Sequence, residues 1–464
     1  MSLAIELDEH LARTGKPKGP LHGLPISIKD SFRLPGYDSS VGIVALCNKP
    51  NTTISPLVQL LLDAGAVPIA KTNVPQTMMA LDSHNNVFGR VVNPLNTLLT
   101  PGGSSGGEGA LMALRGSALG VGTDIGGSIR IPAMCAGLYG IKPSWQRVPY
   151  SNQEAGMPAG SSKLSIQASA GPIARSLRDC ETFLRAVADM APWKYDADVI
   201  CGDWQSMGEA KKTLTLGIVR RDGAIDPLPP ISQVLDDVVL ALRRQGVEVK
   251  ELDVTPLLKQ CQSLANQFFT IDGNHSWLDI LAKTGEPLSP WLQTRVRRKT
   301  PHSLEKVRDL HAKRDELRNK FLSVWRDVDA IVCPVAPHPI PPIDRWNGVS
   351  WTSSWVLLDY AAGVCADIPS LTPRRLTFCQ NLPVRPFEKS DLEGSLSPEP
   401  PLGGWDKVNR ELWTNVDRTV YLNSPLSVQV VAPKAQERTL YEAMRMVDDA
   451  VEAEIRSKPN RAKL

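Results

Sequence analysis

Short apolar runs alternate with amphipathic segments along the chain, and this pattern predicts a layered α/β structure. The segment Pro25-Ile-Ser-Ile-Lys29 alternates in the manner of a short strand and carries a lysine at its end. Residues 55–65 begin with Ser-Pro and end with Ala-Gly, which predicts a helix with a proline in its first turn. Residues 67–72 predict the next strand. A repeated succession of helix and strand is typical of α/β layers.

The same alternation continues toward the C-terminus. It predicts helices over residues 1–13, 107–115, 176–190, 231–245 and 303–327, and strands over residues 118–123, 138–142, 213–219, 247–252 and 329–334. Residues 366–404 are rich in proline and poor in periodic pattern, so we expect irregular structure there. The expected fold class is therefore α/β.

Composition and charge exclude several classes of protein. The chain has 464 residues with a net charge of +3, and no dense basic block suggests a nucleic-acid partner. Its eight cysteines include no Cys-x-x-Cys pair, so neither a zinc site nor a disulfide framework is indicated. No run approaches the ~18 apolar residues of a membrane span, and the N-terminus lacks a signal peptide. We expect a cytoplasmic protein without a stable membrane anchor.

Two glycine-rich clusters with embedded serines suggest a backbone shaped around a small molecule. The first is Gly102-Gly-Ser-Ser-Gly-Gly107 and the second is Asp124-Ile-Gly-Gly-Ser-Ile-Arg130. Successive backbone N–H groups in the second cluster would form a nest for an oxyanion, with donors at Ile125, Gly126, Gly127 and Ser128. A phosphate-binding loop or a tight turn is the alternative, although the Gly-Lys-Ser/Thr of a Walker loop is absent. The pattern therefore makes Ser128 a candidate nucleophile.

Ser104, Ser105 and Lys29 are further candidates. The two serines precede a predicted helix, whose N-terminus favours anions, and a flexible linker is the alternative interpretation. Lys29 follows an apolar strand, and burial would allow the amine to lose its proton and act as a base. A solvated surface lysine is the alternative. None of the seven histidines has a recognisable catalytic context, but a Ser-His-Asp triad stays open because its members need not be adjacent.

Taken together, these residues resemble the amidase signature family. The resemblance is carried by residues 102–144, by Gly23-Leu-Pro-Ile-Ser-Ile-Lys-Asp30, by Lys71-Thr-Asn-Val-Pro-Gln76 and by Gly171-Pro-Ile-Ala-Arg-Ser176. It is strong over residues 19–190, continues more weakly to about residue 360, and is similar to the branch of fungal acetamidases and fatty-acid amide hydrolases. It implies the amidase-signature fold, a central mixed twisted β-sheet covered by helices on both faces.

The resemblance also implies a Ser-Ser-Lys triad. Ser128 would be the nucleophile, Ser104 the bridging serine and Lys29 the neutral base. Met78 would occupy the position whose backbone lines the acyl site. Asp124 and Arg130 would brace the loop rather than react.

The function implied is that of a serine hydrolase, which cleaves carboxamide C–N bonds through an acyl-enzyme and releases ammonia or an amine. We expect a small-molecule amide substrate and neither cofactor nor metal, and leave a homodimer open. A glutamine-hydrolysing amidotransferase subunit and an inactive truncated homologue are the alternatives.

The expected domain organisation departs from the family at two places. Residues 1–18 would be a truncated N-terminal helical segment, because the lysine motif begins about a hundred residues earlier than family members usually have it. Residues 19–464 would form one amidase-signature domain, with its core at 19–190 and the remainder at 191–464. Within that remainder, residues 365–404 would be irregular or mis-spliced, since residues 365–380 interrupt an apolar pattern in the manner of a loop or an unspliced intron.

Overall fold

The computed structural model of this chain describes residues 2–457 except 207, 209–210, 212, 346–347 and 366–383. Thirteen α-helices lie in the described residues. They are α1 Ser2–Thr14, α2 Pro56–Asp63, α3 Gly106–Ala113, α4 Arg130–Ala136, α5 Leu177–Asp189, α6 Pro229–Arg244, α7 Thr255–Phe268, α8 His275–Ala282, α9 Pro290–Gln293, α10 Leu304–Asp327, α11 Ser350–Leu357, α12 Gly404–Thr414 and α13 Glu437–Ser457.

Fourteen strands accompany these helices across the same described ranges. They are β1 Pro25–Lys29, β2 Val67–Thr72, β3 His84–Asn85, β4 Gly89–Arg90, β5 Leu119–Asp124, β6 Tyr139–Lys142, β7 Ser169–Ala174, β8 Thr215–Ile218, β9 Glu248–Glu251, β10 Ala330–Pro334, β11 Ala361–Cys365, β12 Arg385–Pro386, β13 Pro425–Leu426 and β14 Val428–Ala432. Ten of them form one sheet in the order β2-β1-β5-β7-β6-β11-β14-β10-β8-β9, while β3 pairs with β4 and β12 with β13.

The large sheet is mixed. β1 pairs in parallel with both β2 and β5, and β8 pairs in parallel with both β9 and β10. The middle of the sheet, from β5 through β7, β6, β11 and β14 to β10, is antiparallel. The two parallel ends follow from helical crossovers such as α2 between β1 and β2, because parallel neighbours need a long connection.

Both faces of this sheet are covered. Along β10, Ala330 and Val332 pack into one apolar core, whereas Ile331 and Cys333 pack into another. Successive side chains of a strand point to opposite faces, so the two cores lie on opposite sides of the sheet. The first core includes residues of α6 and α13, and the second includes residues of α7, α10 and α11. The prediction of an α/β fold with a mixed sheet between helical layers is confirmed.

The structure also corrects details of the sequence-based assignment. Each predicted helix and strand is present, with ends that differ by a few residues. Among the elements that the predictions did not include are α7, α8, α12, α13 and the central strands β7 and β14. Residues 384–403 contain only β12 and a short 3₁₀ helix over Lys389–Glu393, as an irregular segment would. Of the proposed insert at residues 365–380, Cys365 is the last residue of β11, and residues 366–380 lie outside the described residues.

Helices of the described ranges are all too short or too polar to cross a lipid bilayer.

Candidate active site

Lys29 is fully buried at the end of β1, between β2 and β5. Its Nζ donates a hydrogen bond to Ser104 Oγ at 2.7 Å and another to Thr123 Oγ1 at 2.9 Å. Burial lowers the pKa of the amine from its ordinary value near 10.5 to about 7. Three carboxylates act in the opposite direction, namely Asp124, Glu108 and Asp30. A large fraction of the amine is therefore neutral near pH 7 and able to accept a proton.

The two adjacent serines of the first cluster have different partners. Ser104 faces Lys29, whereas the Ser105 hydroxyl lies 3.4 Å from both the backbone oxygen and the backbone nitrogen of Thr123. The peptide bond between Gly103 and Ser104 is cis. A Cβ at Gly103 would lie 2.5 Å from the carbonyl oxygen of Ala80, so only glycine fits this close backbone approach. The loop thus gives different contacts to two serines that the sequence presents as equivalent.

Ser128 lies in the connection between β5 and α4, and 6% of the residue's surface is exposed. Its carbonyl oxygen accepts a hydrogen bond from the Ser105 N–H at 3.2 Å, which joins the two glycine-rich clusters. The preceding Gly127 has φ +129°, and a Cβ there would meet Thr352 Oγ1 at 2.7 Å. Glycine is therefore required immediately before the candidate nucleophile.

Asp124 organises the backbone on both sides of Ser128. Its carboxylate accepts hydrogen bonds from the N–H of Gly127 at 2.7 Å and the N–H of Ile129 at 3.2 Å. Burial is the largest single effect and would raise the pKa of this carboxyl, but the Arg130 guanidinium, the Lys142 ammonium and the Gly127 N–H together outweigh it and hold the pKa below its usual range. The ionised carboxylate therefore holds the loop in place, because its two oxygens accept hydrogen bonds from backbone N–H groups on either side of Ser128.

Arg130 ties this loop to distant parts of the chain. The guanidinium contacts both oxygens of Asp124, at 3.0 and 3.1 Å, and both side chains are fully buried. It also donates to Gln429 Oε1 on β14 and to the carbonyl oxygen of Thr352 on α11. The buried charge is thus paired and surrounded by acceptors, which burial of an ion requires.

Met78 has an unusual backbone conformation. Thr77 and Met78 both have positive φ, at 65° and 60°. The Met78 side chain packs with Met79 and Met157 against a buried apolar cluster that includes Trp277. The placement of Met78 at the acyl site stays a prediction.

The structure brings together some of the predicted site residues directly. Lys29 and Ser104 are hydrogen-bonded, and Ser128 is joined to the Ser104–Ser105 loop through its backbone. Within the described residues no hydrogen bond links the hydroxyls of Ser104 and Ser128, and none links either hydroxyl to a histidine. The Gly127 N–H, one of the four expected oxyanion donors, is engaged by Asp124.

Sequence reasoning missed three polar residues that contact the site. Thr123 is the second partner of Lys29, Thr352 contacts the carbonyl oxygen of Gly126, and Glu108 lies buried close to Lys29. Thr123 could have been found from strand pairing, because β5 lies beside β1. The residues next to Thr352 in the sequence did not indicate its contact with Gly126, which spans 226 positions.

Groups of side chains that could hold a metal ion were sought in the described ranges. These ranges contain no group of three or more histidine, cysteine or acidic side chains arranged to hold a metal ion.

Comparison with known proteins agrees with the fold and the motifs. The model of the Amidase family matches residues 1–441. Acetamidases from Aspergillus oryzae and Emericella nidulans are 34% and 33% identical to the chain, and each alignment covers 95% of this chain and 79% of the relative. A solved structure of fatty acid amide hydrolase is 29% identical and superposes with a TM-score of 0.82, covering 97% of this chain and 77% of that one.

The mixed sheet and these similarities define an α/β protein of the amide-hydrolysing class. The chain belongs to the amidase family, in its amidase signature group. The resemblance to fungal acetamidases and fatty-acid amide hydrolases is thereby confirmed.

Proposed function

We propose that this chain is a serine amidase, which hydrolyses carboxamides to a carboxylate and ammonia or an amine through an acyl-enzyme. The observation that carries the proposal is the 2.7 Å hydrogen bond between the buried Lys29 amine and the Ser104 hydroxyl. A base whose pKa is about 7 has the proton affinity that general-base chemistry needs near neutral pH. Membership of the amidase family supports the amide bond as the target.

Acylation would begin with two proton transfers. Neutral Lys29 takes the Ser104 proton as Ser104 takes the Ser128 proton, and Ser128 Oγ forms a bond to the amide carbon. The tetrahedral intermediate collapses as the C–N bond breaks. The proton held by Lys29 returns through Ser104 to the leaving nitrogen, which departs as ammonia or an amine.

Deacylation would use the same residues with water as the nucleophile. Lys29 and Ser104 remove a proton from the water, whose oxygen attacks the ester carbon of the acyl-enzyme. Collapse of the second intermediate releases the carboxylic acid and returns the proton to Ser128. The relay ends in its starting state.

The oxyanion of each intermediate would be stabilised by backbone donors of the second cluster. Because the Gly127 N–H is engaged by Asp124, we assign this role to the N–H groups of Ile125, Gly126 and Ser128. Asp124 and Arg130 would hold these donors in place without contacting substrate. Such preorganised donors act strongly in a buried site.

Short aliphatic amides are the substrates that we propose first. The support is the acetamidase name of relatives that are 33–34% identical over 95% of the chain. Met78 and the apolar cluster beside it would contact the acyl group.

The test is ammonia release from a panel of acetamide, propionamide, benzamide, oleamide and glutamine. We expect release from at least one amide and its loss in Ser128→Ala, which should also lose covalent labelling by a fluorophosphonate. Labelling that persists in Ser128→Ala would overturn the assignment of the nucleophile. Turnover of glutamine alone would favour an amidotransferase subunit, and no turnover by the folded wild type would favour an inactive homologue.

A further inference from the structure

Glu108 is a fully buried carboxylate in the first turn of α3, four positions after Ser104. Both of its oxygens accept hydrogen bonds from strand hydroxyls. Ser27 on β1 donates to Oε2 at 2.5 Å, and Thr72 on β2 donates to Oε1 at 2.6 Å. The carboxylate therefore links the helix that follows Ser104 to two neighbouring strands.

Both hydroxyl donors are placed close to Lys29 by the sheet. Ser27 precedes Lys29 by two positions on β1, so their side chains share one face of the sheet. Thr72 is the residue of β2 that pairs with Lys29 across the parallel ladder. The strands that position the amine are thus the same strands that bind the Glu108 carboxylate.

A glycine on β5 leaves room for the Glu108 carboxylate. A Cβ at Gly120 on β5 would lie 2.6 Å from Glu108 Oε2, so a larger residue there would displace the carboxylate. The N–H of Gly107 also donates to the carbonyl oxygen of Asn73 at 3.1 Å, just beyond the end of β2. The first turn of α3 is therefore attached to the sheet at three points.

We propose that Glu108 is a positioning residue for amide hydrolysis, which holds Ser104 within hydrogen-bond distance of Lys29 by fastening the first turn of α3 to β1 and β2. This inference rests on the proposed function, because it concerns the proton relay of Lys29 and Ser104. Glu108 itself contacts neither hydroxyl of the relay in the described hydrogen bonds.

The charge of Glu108 adds an electrostatic contribution to this arrangement. Asp124 at the end of β5, Glu108 on α3 and Asp30 after β1 all raise the pKa of Lys29. Burial raises the pKa of Glu108 to about 7, while its hydrogen bonds and Lys29 oppose that shift. Removing the carboxylate charge should therefore favour neutral Lys29 and move the acidic limb of kcat/KM to lower pH.

Glu108→Ala and Glu108→Gln separate positioning from general stability. Alanine removes both attachments, and misplacement of Ser104 should lower kcat roughly 10- to 100-fold with little change in KM. Glutamine can retain both attachments, because Thr72 Oγ1 lies 3.5 Å from the Ile28 carbonyl oxygen and can turn its proton there while accepting from the amide. We expect Glu108→Gln to recover most of kcat and to show the acidic limb at lower pH.

Glu437→Gln is the matched control. Glu437 is equally buried but binds the backbone N–H of Ser144 and is not among the carboxylates that act on Lys29. The control should leave kcat and the pH profile unchanged, even where it lowers the melting temperature.

Thr72→Val is a second variant, which keeps the charge of Glu108. It tests the positioning role of Glu108 even if Glu108→Ala does not fold. It should lower kcat several-fold at unchanged KM, since one attachment is lost. Wild-type kcat in folded Glu108→Ala or in Thr72→Val would overturn the proposal, as would a pH profile of Glu108→Gln identical to that of the control. Hydrolysis that persists in Ser128→Ala would instead refute the proposed function.

Discussion

Lys29 Nζ and Ser104 Oγ lie 2.7 Å apart, although 75 positions separate the two residues in the chain. The contact forms because β1 carries the lysine between two parallel strands, and the cluster before α3 turns the serine toward it. The amine has no exposed surface. An ammonium group is unfavourable in such a place, so burial lowers the pKa of the amine to about 7 and makes the neutral form available near neutral pH.

The first prediction concerns the pH dependence of hydrolysis. The pKa of Lys29 is lowered to about 7, so the amine is protonated and inactive as a base below that pH and neutral above it. We expect kcat/KM to rise with pH through an acidic limb near neutrality. Lys29→Met should lower the rate by roughly 100- to 10,000-fold at pH 8, the range attributed to a general base.

Lys71→Met is the control for that prediction. Lys71 is a largely buried lysine on β2 whose Nζ donates to the Ser39 hydroxyl and pairs with Asp30, and no hydrogen bond of the described residues joins it to Ser104. Its replacement should leave the acidic limb in place. A wild-type rate in Lys29→Met, or an acidic limb that follows Lys71, would exclude Lys29 as the base.

The second prediction is that burial of Lys29 lowers the free energy of unfolding as pH falls toward 7. The pKa of Lys29 is near 10.5 in the unfolded chain and about 7 in the folded one, so the unfolded state binds more protons between these values. The contribution of Lys29 to stability therefore falls as pH decreases from about 10 to 7. Lys29→Met carries no such penalty.

Thermal unfolding of both proteins at several pH values checks this effect. The melting temperature of Lys29→Met minus that of the wild type should increase as pH is lowered from 10 to 7. A difference that is constant with pH would mean that Lys29 titrates alike in the folded and unfolded states.

The third prediction uses two adjacent serines as a matched pair. Ser104→Ala removes the hydroxyl that contacts Lys29, and Ser105→Ala removes one that contacts only the Thr123 backbone in the described residues. Both side chains are buried, so general packing losses should be similar. We expect a much larger loss of kcat for Ser104→Ala, measured as ammonia release under saturating substrate. Equal losses would contradict a specific role for Ser104.

The chemistry-bearing motifs were readable from sequence because they are local. A glycine cluster, a serine and a lysine that ends an apolar strand each lie within a few consecutive positions. The sequence alone could not decide between Ser104 and Ser105, since both lie between glycine pairs in Gly102-Gly-Ser-Ser-Gly-Gly107. Only the backbone geometry turns one of them toward Lys29. The resemblance to the family supplied that choice, and Ser104 is the serine that contacts Lys29 in the structure.

Contacts between distant segments account for what sequence reasoning missed. Thr352 reaches Gly126 from α11, and Gln429 on β14 reaches Arg130 across 299 positions. Neither contact could be predicted from neighbouring residues in the sequence, because each depends on how distant segments pack in the fold. The same limit applies to β7, which is buried along its whole length and is recognisable as a central strand only from its two antiparallel neighbours.

The fourth prediction concerns the buried ion pair of Asp124 and Arg130, which flank the candidate nucleophile Ser128 in the chain. Asp124→Asn keeps the shape of the side chain but leaves the Arg130 guanidinium, which has no exposed surface, without its carboxylate. Breaking one partner of a buried pair typically costs about 3–5 kcal/mol of folding free energy. The amide can also accept only one of the two backbone N–H bonds that flank Ser128, so the loop should lose order.

Chemical denaturation and hydrolysis assays, followed on the same samples, measure both consequences. The matched control is Asp449→Asn, which breaks an exposed pair with Arg445 on α13 and should change stability by less than about 1 kcal/mol. We expect Asp124→Asn to lower both the free energy of unfolding and kcat, and the control to lower neither appreciably. Full activity in a folded Asp124→Asn would show that the carboxylate is not needed to hold the Ser128 loop, and would leave the oxyanion donors positioned by the glycine backbone and Thr352 alone.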